Sequence, residues 1–298
     1  MNVTLFLVGI GSGLSHSLYA AVSKFLLNRR IAHPFLFLLY VSPLQAAIMP
    51  LVWCFTGPAL PDAGGWAPLL IAAATCLVAY FLLYASLSCS DVSSVMPMMG
   101  SKVIFSGLLA HVMLGEHHTG SIYLAALLVA VAVAALGYSP SKSRPSGGIL
   151  KPMLLMLGCS VVFACTDVYI KRSLAFVDPY SFMVYYNGLV AAGALLVIPH
   201  LKRRGVSLRL GRSDVLLMLV AAACLVTATV LFVVSFRLAD GIVVPNILMS
   251  SRGVFIVLFT AAAGYRGSTA LDVQSRWVYL LRFAASILIL FAIWLALR

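Results

Sequence analysis

The chain has 298 residues, of which 62% are hydrophobic and only 9% charged. A soluble domain carries about 25% charged residues, so this chain lacks the polar surface to cover a water-facing globule, and its expected solvent is a bilayer. The formal net charge of +12 then reads as basic loops anchored at the cytoplasmic face and not as a nucleic-acid surface.

A hydrocarbon core about 30 Å thick takes roughly 20 helical residues to cross. Apolar runs of that order predict spans at 4–27, 34–56, 67–88, 92–114, 120–138, 152–171, 180–199, 213–236, 242–264 and 277–297. The runs are continuous and lack the in–out alternation of a membrane barrel. The expected fold class is an all-α integral membrane protein with ten transmembrane helices, placed in a bacterial inner membrane. The first run has no basic n-region and exceeds the length of a signal-peptide core, so it reads as a retained span. Most of the six cysteines lie inside apolar runs and none forms a C-x-x-C pair, so they read as small buried hydrophobes.

Polar residues inside these runs are the candidate functional groups. In the first, Ser12, His16, Tyr19 and Ser23 share one helical face. His16 reads either as a cavity-lining residue, with proton coupling as its chemistry, or as a neutral histidine bonded to a neighbouring carbonyl. Gly9 and Gly13 form a G-x-x-x-G, a pattern that lets helices pack closely. Tyr80 and Tyr84 share a face of the third run, and Tyr185, Tyr186 and Asn187 add polar groups to the seventh. Aromatic packing or cavity lining would account for each.

The fourth and ninth runs, "SSVMPMMGSKVIFSG" and "VVPNILMSSRGVFIVLF", hold Lys102 and Arg252, each eleventh in a run of 23. A charge at the bilayer centre costs about 2.5–3.5 kcal/mol on insertion scales and ordinarily faces a cavity or a partner. Asp167 is the one acid clearly within a run, close to its end, and no carboxylate looks central. The two cations are therefore expected to hold an anionic substrate. Backbone carbonyls freed by Pro97 and Pro245 are the competing explanation, but they lie more than two turns away. In "GEHH", Glu116, His117 and His118 are consecutive and diverge around a helix, so no metal site is expected. No cofactor is expected either, since no phosphate-binding loop or nucleophile elbow is present.

The two halves resemble each other. A shift of 145 pairs Gly13 with Gly158, Ser15 with Ser160, Pro34 with Pro179 and Tyr40 with Tyr185; a shift of 150 pairs Ser101, Lys102 and Phe105 with Ser251, Arg252 and Phe255. Two units of five helices follow, residues 1–138 and 152–298, joined by a loop at 139–151. Because five is odd, the second unit enters from the opposite side, giving two inverted repeats with a site between them.

Ten helices in this arrangement resemble the EamA-like members of the drug/metabolite transporter superfamily. The stretch "SSVMPMMGSKVIFSGLLAHVMLGEHHTGSIYLAALLVAVAVAALGY" (93–138) is similar to the family's fourth and fifth helices, with a proline-bearing helix, a terminal "LGE" and a small-residue-rich helix. The second half has "GYRG" (264–267) in place of "LGE", with Arg266 for the glutamate. The resemblance implies a transporter. Its organic-phosphate and nucleotide-sugar branches carry basic residues on the fourth and ninth helices, where Lys102 and Arg252 fall.

The expected function is secondary transport, by alternating access, of a small organic anion or zwitterion bearing a phosphate, phosphonate or carboxylate. The alternatives are a flippase for a lipid-linked phosphate and an intramembrane transferase, for which only His111 with Glu116 offers an acid–base pair. The expected partners are that substrate, membrane lipid and a coupled proton. Twelve basic residues fall in loops on one side, at 28–33, 138–151, 200–214 and 265–276, against four on the other: Lys171, Arg172, Arg237 and Arg298. The positive-inside rule then puts both termini outside the cytoplasm, whereas the family resemblance puts them inside.

Overall fold

The computed structural model describes residues 3–31, 33–88, 96–137, 150–265 and 276–298. Every described element is a helix. The principal ones, in chain order, are α1 (Val3–Arg29), α2 (Pro34–Ile48), α3 (Trp66–Leu87), α4 (Lys102–Leu109), α5 (Gly120–Gly137), α6 (Leu150–Ser173), α7 (Pro179–Ala194), α8 (Arg212–Leu238), α9 (Val243–Met249), α10 (Arg252–Tyr265) and α11 (Arg276–Ala296), with short turns of helix between them. Six stretches are long and apolar enough to cross a membrane: Val3–Leu27, Pro34–Val52, Ala63–Leu87, Leu150–Ser173, Pro179–Arg203 and Arg212–Leu238. Shorter apolar helices occupy Met99–Leu114, Gly120–Leu136, Val243–Phe259 and Leu280–Ala296.

The helix starts follow from local chemistry. Proline opens both α2 and α7, where its missing N–H would be unbonded anyway. The residue before each proline is extended and caps the helix. His33 Nδ1 accepts from the Phe35 amide at 3.3 Å, and Asp178 Oδ1 accepts from the Tyr180 and Ser181 amides at 2.9 and 3.0 Å.

Several expected helices are not continuous: the second winds into a 3-10 segment at Met49–Val52, the seventh breaks between Ala194 and Val197, and the two that carry Lys102 and Arg252 change winding as well. The fourth passes from a 3-10 segment (Met96–Ser101) into α4 and then into a π-turn (Ala110–Leu114), which Gly115 ends at φ 67°. The ninth breaks at Ser250 and Ser251, between α9 and α10. Lys102 and Arg252 are each the first residue after a change of winding, not the middle of a regular helix.

The main packing pairs are α1 with α8, α3 with α6, α2 with α7, and α5 with α11. The helix α2 also packs on α8, α3 on α7, α4 on α6, and α10 on α1. Close approach depends on glycine. A Cβ at Gly9 would meet Leu248 Cβ at 2.6 Å, and one at Gly13 would overlap the Ser251 hydroxyl. The G-x-x-x-G of α1 is thus the seat of α9 and of the break that follows it.

Candidate functional site

The Lys102 ammonium lies 3.1 Å from Asp167 Oδ1 and 2.9 Å from Oδ2, and the two residues are 7% and 2% exposed. Lys102 therefore does have an anion at its own depth. Asp167 looked peripheral because its distance was measured to the end of the apolar run. The helix α6 continues through Lys171 and Arg172 to Ser173, which leaves Asp167 about 9 Å from its end at 1.5 Å per residue.

Asp167 has further partners. Asn246 Nδ2 on α9 donates to Oδ2 at 2.8 Å, and Ser106 Oγ on α4 donates to it at 3.4 Å. Asn246 also donates to the Ile242 carbonyl at 2.9 Å, while its Oδ1 is buried with no partner among the described residues. The rings of Phe232 and Phe163 sit 5.0 and 5.8 Å from the Lys102 nitrogen, close enough for cation–π attraction. Four helices, α4, α6, α8 and α9, thus meet on one ion pair.

Arg252 differs from Lys102. Its backbone carbonyl accepts from Ser17 Oγ at 2.8 Å, but its guanidinium has no carboxylate partner among the described residues. Arg252 and His16 are each half-buried. His16 Nδ1 lies 3.0 Å from the Ser12 carbonyl, and its ring meets Phe232 edge-on at 6.4 Å. The bond to a neighbouring carbonyl, one of the two roles expected for His16, is formed.

The tyrosines form a belt beside this cluster. The Tyr19 hydroxyl lies near that of Tyr84, and the Tyr80 and Tyr186 hydroxyls lie near the Cys76 thiol. The Tyr80 ring lies 6.2 Å from that of Tyr84 and 5.6 Å from that of Phe163. Asn187 is turned back on its own helix, donating to the Met183 carbonyl at 2.8 Å. Tyr185 packs between Trp53 and Trp66.

Glu116 of the "LGE" stretch is not paired with His111 through its carboxylate. Its Oε2 lies 3.0 Å from His118 Nε2 and accepts from the Ile242 amide at 3.2 Å, so it caps the start of α9 against Gly241. His111 Nδ1 instead faces the Glu116 backbone carbonyl at 3.3 Å. The acid–base pair that a transferase would need is therefore absent at these two residues. Arg266, in the corresponding position of the second half, lies outside the described residues.

Close to Glu116, cations hold the ends of three helical segments. Lys171 donates to the Phe236 and Ala239 carbonyls at 2.7 Å each, and Arg237 donates back to the Leu174 carbonyl at 2.6 Å. Arg172 reaches the Met113 carbonyl at 2.6 Å. Three of the four basic residues counted on the sparser side are thus bound to helix C-termini, where positive charge is favoured.

Sequence reasoning named Lys102, Arg252, His16, Tyr19, Tyr80 and Tyr84, all of which lie in or beside this cluster. It missed Asp167, Asn246 and Ser106. The available signal was pairing: a buried acid in one span and a buried base in another ordinarily seek each other.

Comparison with known proteins agrees with this picture. The sequence model of the EamA-like transporter family matches residues 4–138. A solved protein crystal structure aligns with TM-score 0.76 at 15% identity, over 99% of this chain and 97% of that one, so the two share a fold. A search of curated proteins found no match. The family's pattern thus covers residues 4–138, and apolar helices continue through the second half, so the first half of this membrane protein is similar to the EamA-like transporters of the drug/metabolite transporter superfamily.

Proposed function

We propose that the protein is a secondary transporter that moves a small organic anion or zwitterion, phosphorylated, phosphonated or carboxylated, by alternating access between two inverted five-helix halves. The observation that carries the anion reading is Arg252: a half-buried guanidinium with no carboxylate partner among the described residues. A planar fork of donors suits carboxylate or phosphate. The Lys102–Asp167 pair is neutral overall, so the net positive charge among these groups comes from Arg252.

Helix packing supports the two-half plan. Taking the α9–α10 pair as one unit and exchanging the halves carries the α1–α8 contact onto α6–α3. It carries α2–α8 onto α7–α3, and α1–α10 onto α6–α4. The α2–α7 and α5–α11 contacts map onto themselves. Lys102 and Arg252 occupy matching places, each just after a change of winding.

The test is a thermal-shift screen of the purified protein against phosphorylated, carboxylated and phosphonated metabolites, repeated with Arg252→Ala. A charge-assisted hydrogen bond contributes about 1.5–3 kcal/mol, so affinity for a hit should fall about ten- to a hundredfold. Hits confined to cations or uncharged solutes, or an anion bound equally by Arg252→Ala, would sink the anion reading.

A further inference from the structure

Asp167 holds the buried Lys102 ammonium with both carboxylate oxygens, so a substrate anion that pairs with Lys102 competes with that carboxylate. Displaced and still ionised, Asp167 would be a buried charge with two neutral donors, a costly arrangement. Neutralised by a proton, it would lose that cost. Its neighbours suit both states. The Asn246 amide now donates to Oδ2 through Nδ2, while its Oδ1 is fully buried and has no partner among the described residues. Turned over, the same amide would accept from a protonated Asp167, because an amide carries a donor and an acceptor on one plane. The Ser106 hydroxyl can likewise accept or donate. Only Lys102 is restricted to donating.

From the other elements, the Cys76 thiol of α3 and the Tyr186 hydroxyl of α7 face the carboxylate. Cys165 stands two residues away on the same helix and feels its charge from another face. His16 lies within the fields of both Lys102 and Arg252. Asp167 is the one carboxylate among these groups.

We propose that Asp167 is the proton carrier of the transport cycle. The substrate anion takes its place beside Lys102, and Asp167 leaves the ion pair by binding one proton from the water that admits the substrate. One proton then crosses with each anion, and it returns to water when the anion leaves and the Lys102–Asp167 pair re-forms. The inference rests on the anion reading of the site given above.

The test begins with infrared spectroscopy of the protein in nanodiscs, the Asp167 carboxyl band being assigned by its loss in Asp167→Asn. In wild type at about pH 7 no Asp167 acid band is expected. Lys102→Met removes the partner as substrate would, and the acid band should appear there at the same pH and vanish again in Lys102→Met, Asp167→Asn. An Asp167 that stays ionised in Lys102→Met overturns the proposal.

A second arm uses Asp167→Asn alone, which keeps the side-chain shape and mimics the protonated acid. Calorimetric titration with inorganic phosphate in buffers of different ionisation enthalpy counts protons bound per phosphate. Wild type should take up about one more proton per bound phosphate than Asp167→Asn does, and the variant should bind about tenfold more tightly. Equal proton counts in the two proteins would overturn the proposal. Failure of both to bind any anion would count against the anion reading itself, and the infrared result would then decide the role of Asp167 independently.

Discussion

Lys102 and Asp167, 65 residues apart in the chain, bring an ammonium and a carboxylate to 2.9 Å inside the helix bundle. Removing one member of a buried pair leaves the other uncompensated, at a cost of about 3–5 kcal/mol, whereas replacing both with apolar residues is often neutral. Asp167→Ala should therefore lower the unfolding temperature sharply in detergent. Lys102→Met, Asp167→Leu should recover most of that stability and still fail to transport. Unchanged unfolding of Asp167→Ala would show that the pair contributes nothing to the fold.

The seat of α9 on α1 predicts a contrast between two glycines. A Cβ at Gly13 would overlap Ser251 Oγ and come within 3.1 Å of the Arg252 backbone nitrogen, and backbone yields little. At Gly11 the nearest atom is the end of Leu231, at 3.3 Å, which can turn aside. Gly13→Ala should cost about 1–3 kcal/mol, the usual range for overpacking, and should disturb binding by shifting Arg252. Gly11→Ala should do neither. Melting curves of the two variants measured side by side check this.

Glu116 gives a cap without being on the helix it caps. Glu116→Ala leaves the Ile242 amide without its acceptor, and a lost cap costs about 0.5–2 kcal/mol. Glu116→Gln keeps an acceptor oxygen and should retain most of the stability. Equal losses in the two variants would mean that the charge, through His118, matters more than the cap.

His33 predicts a pH effect outside the membrane. Burial, with Arg204 and His200 facing it, holds its ring below the usual histidine range. Its Nδ1 caps α2 as an acceptor, a role that protonation abolishes. A base with a depressed folded pKa binds its proton more readily when unfolded. The stability it contributes is therefore present above about pH 6.5 and is lost as pH falls from there towards the folded value. His33→Asn, which can cap without titrating, should flatten the fall in melting temperature across that acidic window. An equally steep fall in the variant would rule out His33 as its source.

Much of the fold was legible because a bilayer imposes a length on its helices. Each apolar run predicted from hydropathy is mainly helical where it is described, and the described ends agree to within a few residues. What hydropathy could not show is winding. Ser250 and Ser251 look like ordinary polar residues in a run, yet α9 stops there and α10 begins. Site chemistry was legible on the cation side, because Lys102 and Arg252 stand out against lipid. Asp167 was misjudged because its depth was taken from one helix alone. Whether it is central depends on how α6 and α4 stand against each other, and neighbouring positions in sequence carry no record of that.

The three windings around Lys102 give the fourth helical segment a torsional reserve. A 3-10 helix advances about 120° per residue and an α-helix about 100°. Rewinding Met96–Ser101 into α-helix would turn everything downstream by about 120° and shorten the segment by about 3 Å. The Lys102 side chain would then swing a third of a turn away from α6 with no helix unfolding. A few backbone hydrogen bonds changing register between neighbouring carbonyls could thus decide which helix the ammonium faces.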